Sequence, residues 1–144
     1  MQRRNFLKSS LSVAVVGSTL ASCGTSVKKT EEEEPVKNDT FMPGDIVHTV
    51  YFWLKEDITE EEETEFLKFF ELLKKVPTVK TFHFGKPAPT TPRPVVDNSF
   101  SYSIIVTFAN MDDINVYETH SIHLDAIDLY KKYWTKVLVT DITL

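Results

Sequence analysis

The chain has 144 residues, 42% of them hydrophobic and 26% charged, the make-up of one compact globular domain. Its formal charge of −5, with no basic stripe, argues against nucleic acid or an anionic lipid surface as a partner. A single cysteine excludes a disulfide framework, so the fold must be held by packing.

The first residues do not read as part of the domain. Arg3-Arg4-Asn5-Phe6-Leu7-Lys8 places charge ahead of an apolar run, Leu11 to Leu20, too short to span a bilayer, and residues 1–22 read as a cleavable signal. Arg3 and Arg4 followed by Phe6-Leu7-Lys8 resemble a twin-arginine export signal. Gln2 stands where such signals carry Ser or Thr, so Sec export stays open. Leu20-Ala21-Ser22-Cys23 resembles a lipobox, in which small residues admit the signal peptidase and the Cys23 sulfur takes the lipid. The plain alternative for Cys23 is a buried thiol.

Residues 23–44 are polar, with Lys28-Lys29, Glu31 to Glu34 and two prolines, and read as a flexible acidic tether. Gly24 and Thr25 do not resemble an inner-membrane retention signal, so the expected address is the outer rather than the inner membrane, reached through the lipid anchor alone. Removing residues 1–22 takes three of the 16 basic residues and none of the 21 acidic ones, which leaves a mature charge of about −8.

The domain, residues 45–144, opens with Asp45 to Leu54, a strand with Ile46, His48, Val50 and Phe52 on one face and Val47, Thr49, Tyr51 and Trp53 on the other. Both faces call for burial. Thr59 and Glu62 form a capping-box signature, and Phe66, Phe69, Phe70 and Leu73 recur at helical spacing until Val76-Pro77. Val79 to Phe84 is predicted as a short strand ending at Gly85, and Phe100 to Phe108 as a longer one. Between them Lys86 to Asn98, with Pro87, Pro89, Pro92 and Pro94, is either a lid over a pocket or a plain connection. After the cap Asn110, one helical segment carries Ile114 and Tyr117 and a second carries Leu124, Ile127, Tyr130 and Trp134. Val137 to Ile142 closes as a strand.

The order βαββαβ predicts an α+β, ferredoxin-like arrangement, one sheet with its helices on one face. Val47, Tyr51 and Trp53 then lie on the other face, and a homodimer closing sheet on sheet would cover them.

All four histidines, His48, His83, His120 and His123, fall in this domain. His48 sits mid-strand among apolar residues, where a histidine is commonly a satisfied core group. His120 and His123 would need a distant third ligand to hold a metal, and no metal site is expected.

His48-x-Val50-x-Phe52-x-Leu54-Lys55, the helix after Ile58-Thr59, the strand end Phe82-x-Phe84-Gly85, the strand ending at Phe108 and Tyr117-x-x-His120-Ser121-Ile122-His123 together resemble the stress-responsive A/B barrel (Dabb) family over about residues 45–143. The resemblance implies a dimeric α+β barrel. It extends to a plant cyclase of the family that closes linear polyketide chains by aldol chemistry without a cofactor, whose catalytic histidines match His48 and His123 and whose pocket tyrosine matches Tyr117. Ser121 replaces the proline usual between the paired histidines.

The resemblance implies His123 as a base, Tyr117 as a polarising phenol and His48 in support, chemistry open to a near-neutral imidazole and a phenol. The plain alternative is that His48 and His123 hydrogen-bond each other and tie helix to sheet. Tyr117 and His123 are six residues apart, so one continuous helix would set them about 120° from each other, and they converge only if the helix breaks. The leading expectation is a small apolar molecule bound near His48, Tyr117 and His123, with no cofactor. The alternatives are a cofactor-independent cyclase or lyase of the polyketide-cyclase type and a structural or stress-protective dimer.

Overall fold

The computed structural model describes residues 40–144. The signal and most of the tether, with Arg3, Arg4 and Cys23, lie outside the described residues. The fold begins at a tight turn, Met42 to Asp45, closed by the Asp45 amide donating to the Met42 carbonyl at 3.0 Å. Pro43 presets the first central position, and Gly44 takes φ 94° at the second, which a side chain would strain. The Gly44 amide donates to the Leu144 carbonyl at 2.7 Å, so the last residue is fastened beside the start of the first strand.

β1 runs Ile46–Leu54, α1 Glu60–Leu73, β2 Thr81–Gly85, β3 Tyr102–Phe108, α2 Met111–Thr119, α3 Ser121–Tyr130 and β4 Trp134–Thr143, with one 3₁₀ turn at Lys131–Tyr133 before β4. The sheet order is β2-β3-β1-β4, and every pair is antiparallel. This is the expected α+β, ferredoxin-like fold.

α1 forms where its local signals place it. The Glu62 amide donates to Thr59 Oγ1 at 3.2 Å and the Thr59 amide to Glu62 Oε2 at 3.1 Å, completing the capping box. Glu60 to Glu63 put negative charge against the positive end of the helix dipole. Phe66, Phe69, Phe70 and Leu73 are buried against the β1 face carrying Ile46, Val50 and Phe52. Each such side chain contributes about 1.5–3 kcal/mol of burial free energy.

The second helical region keeps Ile127 and Tyr130 of the expected stripe but not Leu124. Ala126 and Tyr130 are buried with Ile122 and Ile127 packed beside them, while Leu124 is 52% exposed. A new helix begins at Ser121, so its phase is set there and not by α2. Trp134 is not helical either. It opens β4 at a register shift opposite Trp53 and Leu54, an irregularity that turns its ring into the core against Phe52 and Phe69, with centroids at 5.5 and 5.3 Å.

The sheet face away from the helices is half-buried at Val47, Tyr51 and Trp53, less than the doubly buried strand expected. The chain shields part of it: Phe100 meets the Tyr51 ring at 5.0 Å, Trp53 Nε1 donates to Ser99 Oγ at 3.0 Å, and the Lys136 ammonium lies 4.0 Å from the Trp53 ring centre. Ile105, Leu138 and Ile142, cross-strand neighbours on the same face, are 40%, 47% and 57% exposed.

Candidate functional site

A cavity of about 570 Å³ lies between the sheet and the helices. Phe52, Phe69, Leu73, Ile127 and Trp134 make one apolar wall, Val137 and Val139 of β4 line another, and His48, Tyr117, Glu118 and His123 supply its polar groups. No residue of 86–98 lines it, so the proline-rich segment is not its lid. That segment is a connection held at its base, where Lys86 pairs with Glu63 at 2.7 Å.

The chain between α2 and α3 bends at His120, whose φ of −66° and ψ of 138° are extended. That break brings the two residues together: the Tyr117 and His123 rings lie 4.4 Å apart, centroid to centroid. His48 approaches from β1, 5.9 Å from the Tyr117 ring, and Phe108 backs both. The structure therefore gathers all three predicted pocket residues around one cavity.

His48 and His123 do not tie helix to sheet through a bond to each other. The strand register sets Asp141 directly across from His48, and Nδ1 of His48 lies 2.6 Å from Asp141 Oδ1. A carboxylate accepts, so Nδ1 of His48 carries a proton and Nε2 is the nitrogen not committed to Asp141. Asp141 was not singled out in the sequence, although it is the one acid in the Val137 to Ile142 run and alternation puts it on the face of Val137 and Val139.

His123 Nδ1 lies 3.1 Å from the Glu118 carbonyl. A carbonyl only accepts, so this nitrogen is protonated and the neutral ring bears its lone pair on Nε2. Burial holds His123 below the ordinary histidine range, helped by the nearby His48 and opposed by the Glu118 carbonyl. Burial, and to a lesser extent Glu118, push the Tyr117 phenol far above the usual tyrosine range, so it stays protonated and can donate. Among the described residues no group hydrogen-bonds the Tyr117 hydroxyl. The arrangement is an apolar chamber with a neutral imidazole base and a phenol donor in contact, beside a carboxylate-oriented histidine.

His120 and His123 bond different backbone groups, His120 Nδ1 accepting from the Ile122 amide of α3 at 3.2 Å. His83 lies on the other sheet face, across from Ile105.

Comparison with known proteins finds relatives in sequence and in fold. Olivetolic acid cyclase of Cannabis sativa is 27% identical over 99 residues, covering 68% of this chain and 95% of the cyclase. Two solved structures share the fold. One is a dimeric ferredoxin-like protein from Thermobifida fusca, with TM-score 0.59 and 16% identity over 75% of this chain and 98% of that one. The other is hydroxynitrile lyase from Passiflora edulis, with TM-score 0.61 and 15% identity over 72% of this chain and 95% of that one. The family model for the Stress responsive A/B Barrel Domain matches residues 46–144, more than half of the chain, and the chain belongs to that family, Dabb.

Proposed function

We propose that the domain binds a small, largely apolar molecule carrying a carbonyl or similar oxygen in the cavity at His48, Tyr117 and His123. The observation that carries this reading is the cavity itself, apolar on most sides with its few polar groups converging at one end. The test is native mass spectrometry of the whole chain purified from its own host in mild detergent. A retained mass in the wild type, lost in His123→Ala and weakened in Tyr117→Phe, is expected, and wild-type protein that never carries such a mass counts against it.

A second reading, a cofactor-independent cyclase or lyase, is favoured by the state of the two touching rings. Neutral His123 can take a proton from carbon next to a carbonyl through Nε2, and the Tyr117 hydroxyl can hydrogen-bond the enolate oxygen. His48, oriented by Asp141, would support the same oxygen or hold an ordered water. The similarity to olivetolic acid cyclase supports this reading at the level of reaction type. A non-catalytic, stress-protective dimer is the remaining alternative.

The same proposal puts the protein in the cell envelope, exported by its N-terminal signal and anchored through Cys23 at the outer rather than the inner membrane. It functions as a homodimer joined through the outward sheet face. What supports the dimer is the apolar patch of Val47, Tyr51, Ile105, Leu138 and Ile142, in company with a structural relative described as dimeric.

A further inference from the structure

The contact between Tyr117 and His123 depends on a backbone that changes direction at a single residue. Glu118-Thr119-His120-Ser121 contains neither proline nor glycine, so no residue type there forces the bend. Each new helix leaves its first amides without partners. At α3 the Ile122 amide finds Nδ1 of His120 at 3.2 Å, and the His120 carbonyl accepts from the Leu124 amide at 3.0 Å. His120 is thus the C-cap of α2 and the N-cap of α3.

A backbone amide can only donate, so Nδ1 of His120 must hold a lone pair, and a neutral His120 ring carries its proton on Nε2. Three residues on, His123 has the opposite arrangement, with the proton on Nδ1. The two imidazoles of one short segment are held in different tautomers by different backbone groups.

We propose that His120 is a positioning residue for the candidate site: its imidazole caps α3 and so holds the break that sets the His123 ring against that of Tyr117. This rests on the reading above only in treating the Tyr117 and His123 pair as functional, and the contact itself can be measured without any ligand. Asparagine, aspartate and serine are strong N-caps and alanine a poor one, which gives the substitutions that separate capping from other uses of the ring.

The test uses isotope-labelled whole chain in detergent and nuclear magnetic resonance. In the wild type, nuclear Overhauser contacts are expected between the His123 and Tyr117 ring protons, with nitrogen shifts showing His120 unprotonated at Nδ1 and His123 unprotonated at Nε2. His120→Asn should keep the ring contacts, and His120→Ala should lose them or weaken them several-fold. If His120→Ala does not fold, His120→Asn folding with the contacts intact supports the cap equally. Ring contacts undiminished in His120→Ala overturn the proposal, as does their loss in His120→Asn together with His120→Ala. A chain that shows these ring contacts but retains no small molecule keeps the positioning role and rejects the binding reading, and the reverse pattern separates them the other way.

Discussion

Burying an imidazole in an apolar strand face is unfavourable unless its N–H groups find acceptors, and at His48 the acceptor is one strand away. Asp141 is 47% exposed, so water competes for it and the pair is weaker than a fully buried one. Asp141→Ala is expected to destabilise the fold by about 1 kcal/mol by leaving the His48 N–H unpaired, and Asp141→Asn by less because its amide oxygen still accepts. Urea unfolding of both variants checks the order. His123 makes the opposite demand on its surroundings, since burial favours the neutral ring. With its pKa held below 6.5 in the fold, the unfolded chain binds a proton that the folded chain refuses, so stability should fall as pH drops from 6.5 toward the lowered value. The depressed carboxyl of Glu63, held down by Lys86 and Tyr102, acts in the same direction but only from about 4.5 downward, so the onset of the His123 effect just below 6.5 is read without it. Unfolding free energies across this pH range should show a slope near pH 6 that flattens in His123→Asn. An unchanged slope would mean that His123 titrates alike in both states.

Elements differ in how much of their structure is written locally. α1 was legible from Thr59, Glu62 and the Phe66, Phe69, Phe70 and Leu73 stripe because capping and amphipathic spacing are properties of adjacent residues. Thr59→Ala removes half of the capping box and should cost about 1 kcal/mol, measurable as a lowered unfolding midpoint with unchanged core fluorescence. α3 was legible as a helix whose Ile127 and Tyr130 face the core, but not its Leu124, which is exposed. Two stripes compete in that segment, one through Leu124 and one through Ala126, and the choice depends on where the break falls, which rests on the His120 cap. Trp134 misread for a related reason: its spacing continues a helical pattern, and only pairing with Leu54 on a distant strand makes it the start of β4. The structure brings His48, Tyr117 and His123 to one cavity, while Asp141 is not legible in the sequence because the partner of a mid-strand histidine depends on register, a long-range property.

At the scale of the whole molecule, a chain that is acidic from its tether onward meets a membrane through its anchor, if at all. Cys23→Ser should therefore accumulate unlipidated precursor that no longer fractionates with membranes, checked by blotting for precursor size beside the fractionation. Full membrane retention of the cleaved mutant would remove the anchor from the account. The outward sheet face poses the second question at this scale, and the single chain points to the variant that answers it best. Trp53 donates to Ser99 and sits under Lys136, so Trp53→Glu would disturb the chain's own packing as well as any interface. Leu138 lies across from Tyr51 on the same face and is 47% exposed, so a charge there costs little in one chain. In a sheet-on-sheet dimer, a glutamate at that position would be buried without a partner, and its twofold mate would sit on the same small interface. Leu138→Glu is therefore expected to give a folded monomer where the wild type is a dimer, read by light scattering in detergent with circular dichroism to confirm the fold. Wild-type chain that stays monomeric at micromolar concentration, or a Leu138→Glu chain that remains dimeric, would place the contact elsewhere and leave the Leu138 and Ile142 patch to another partner.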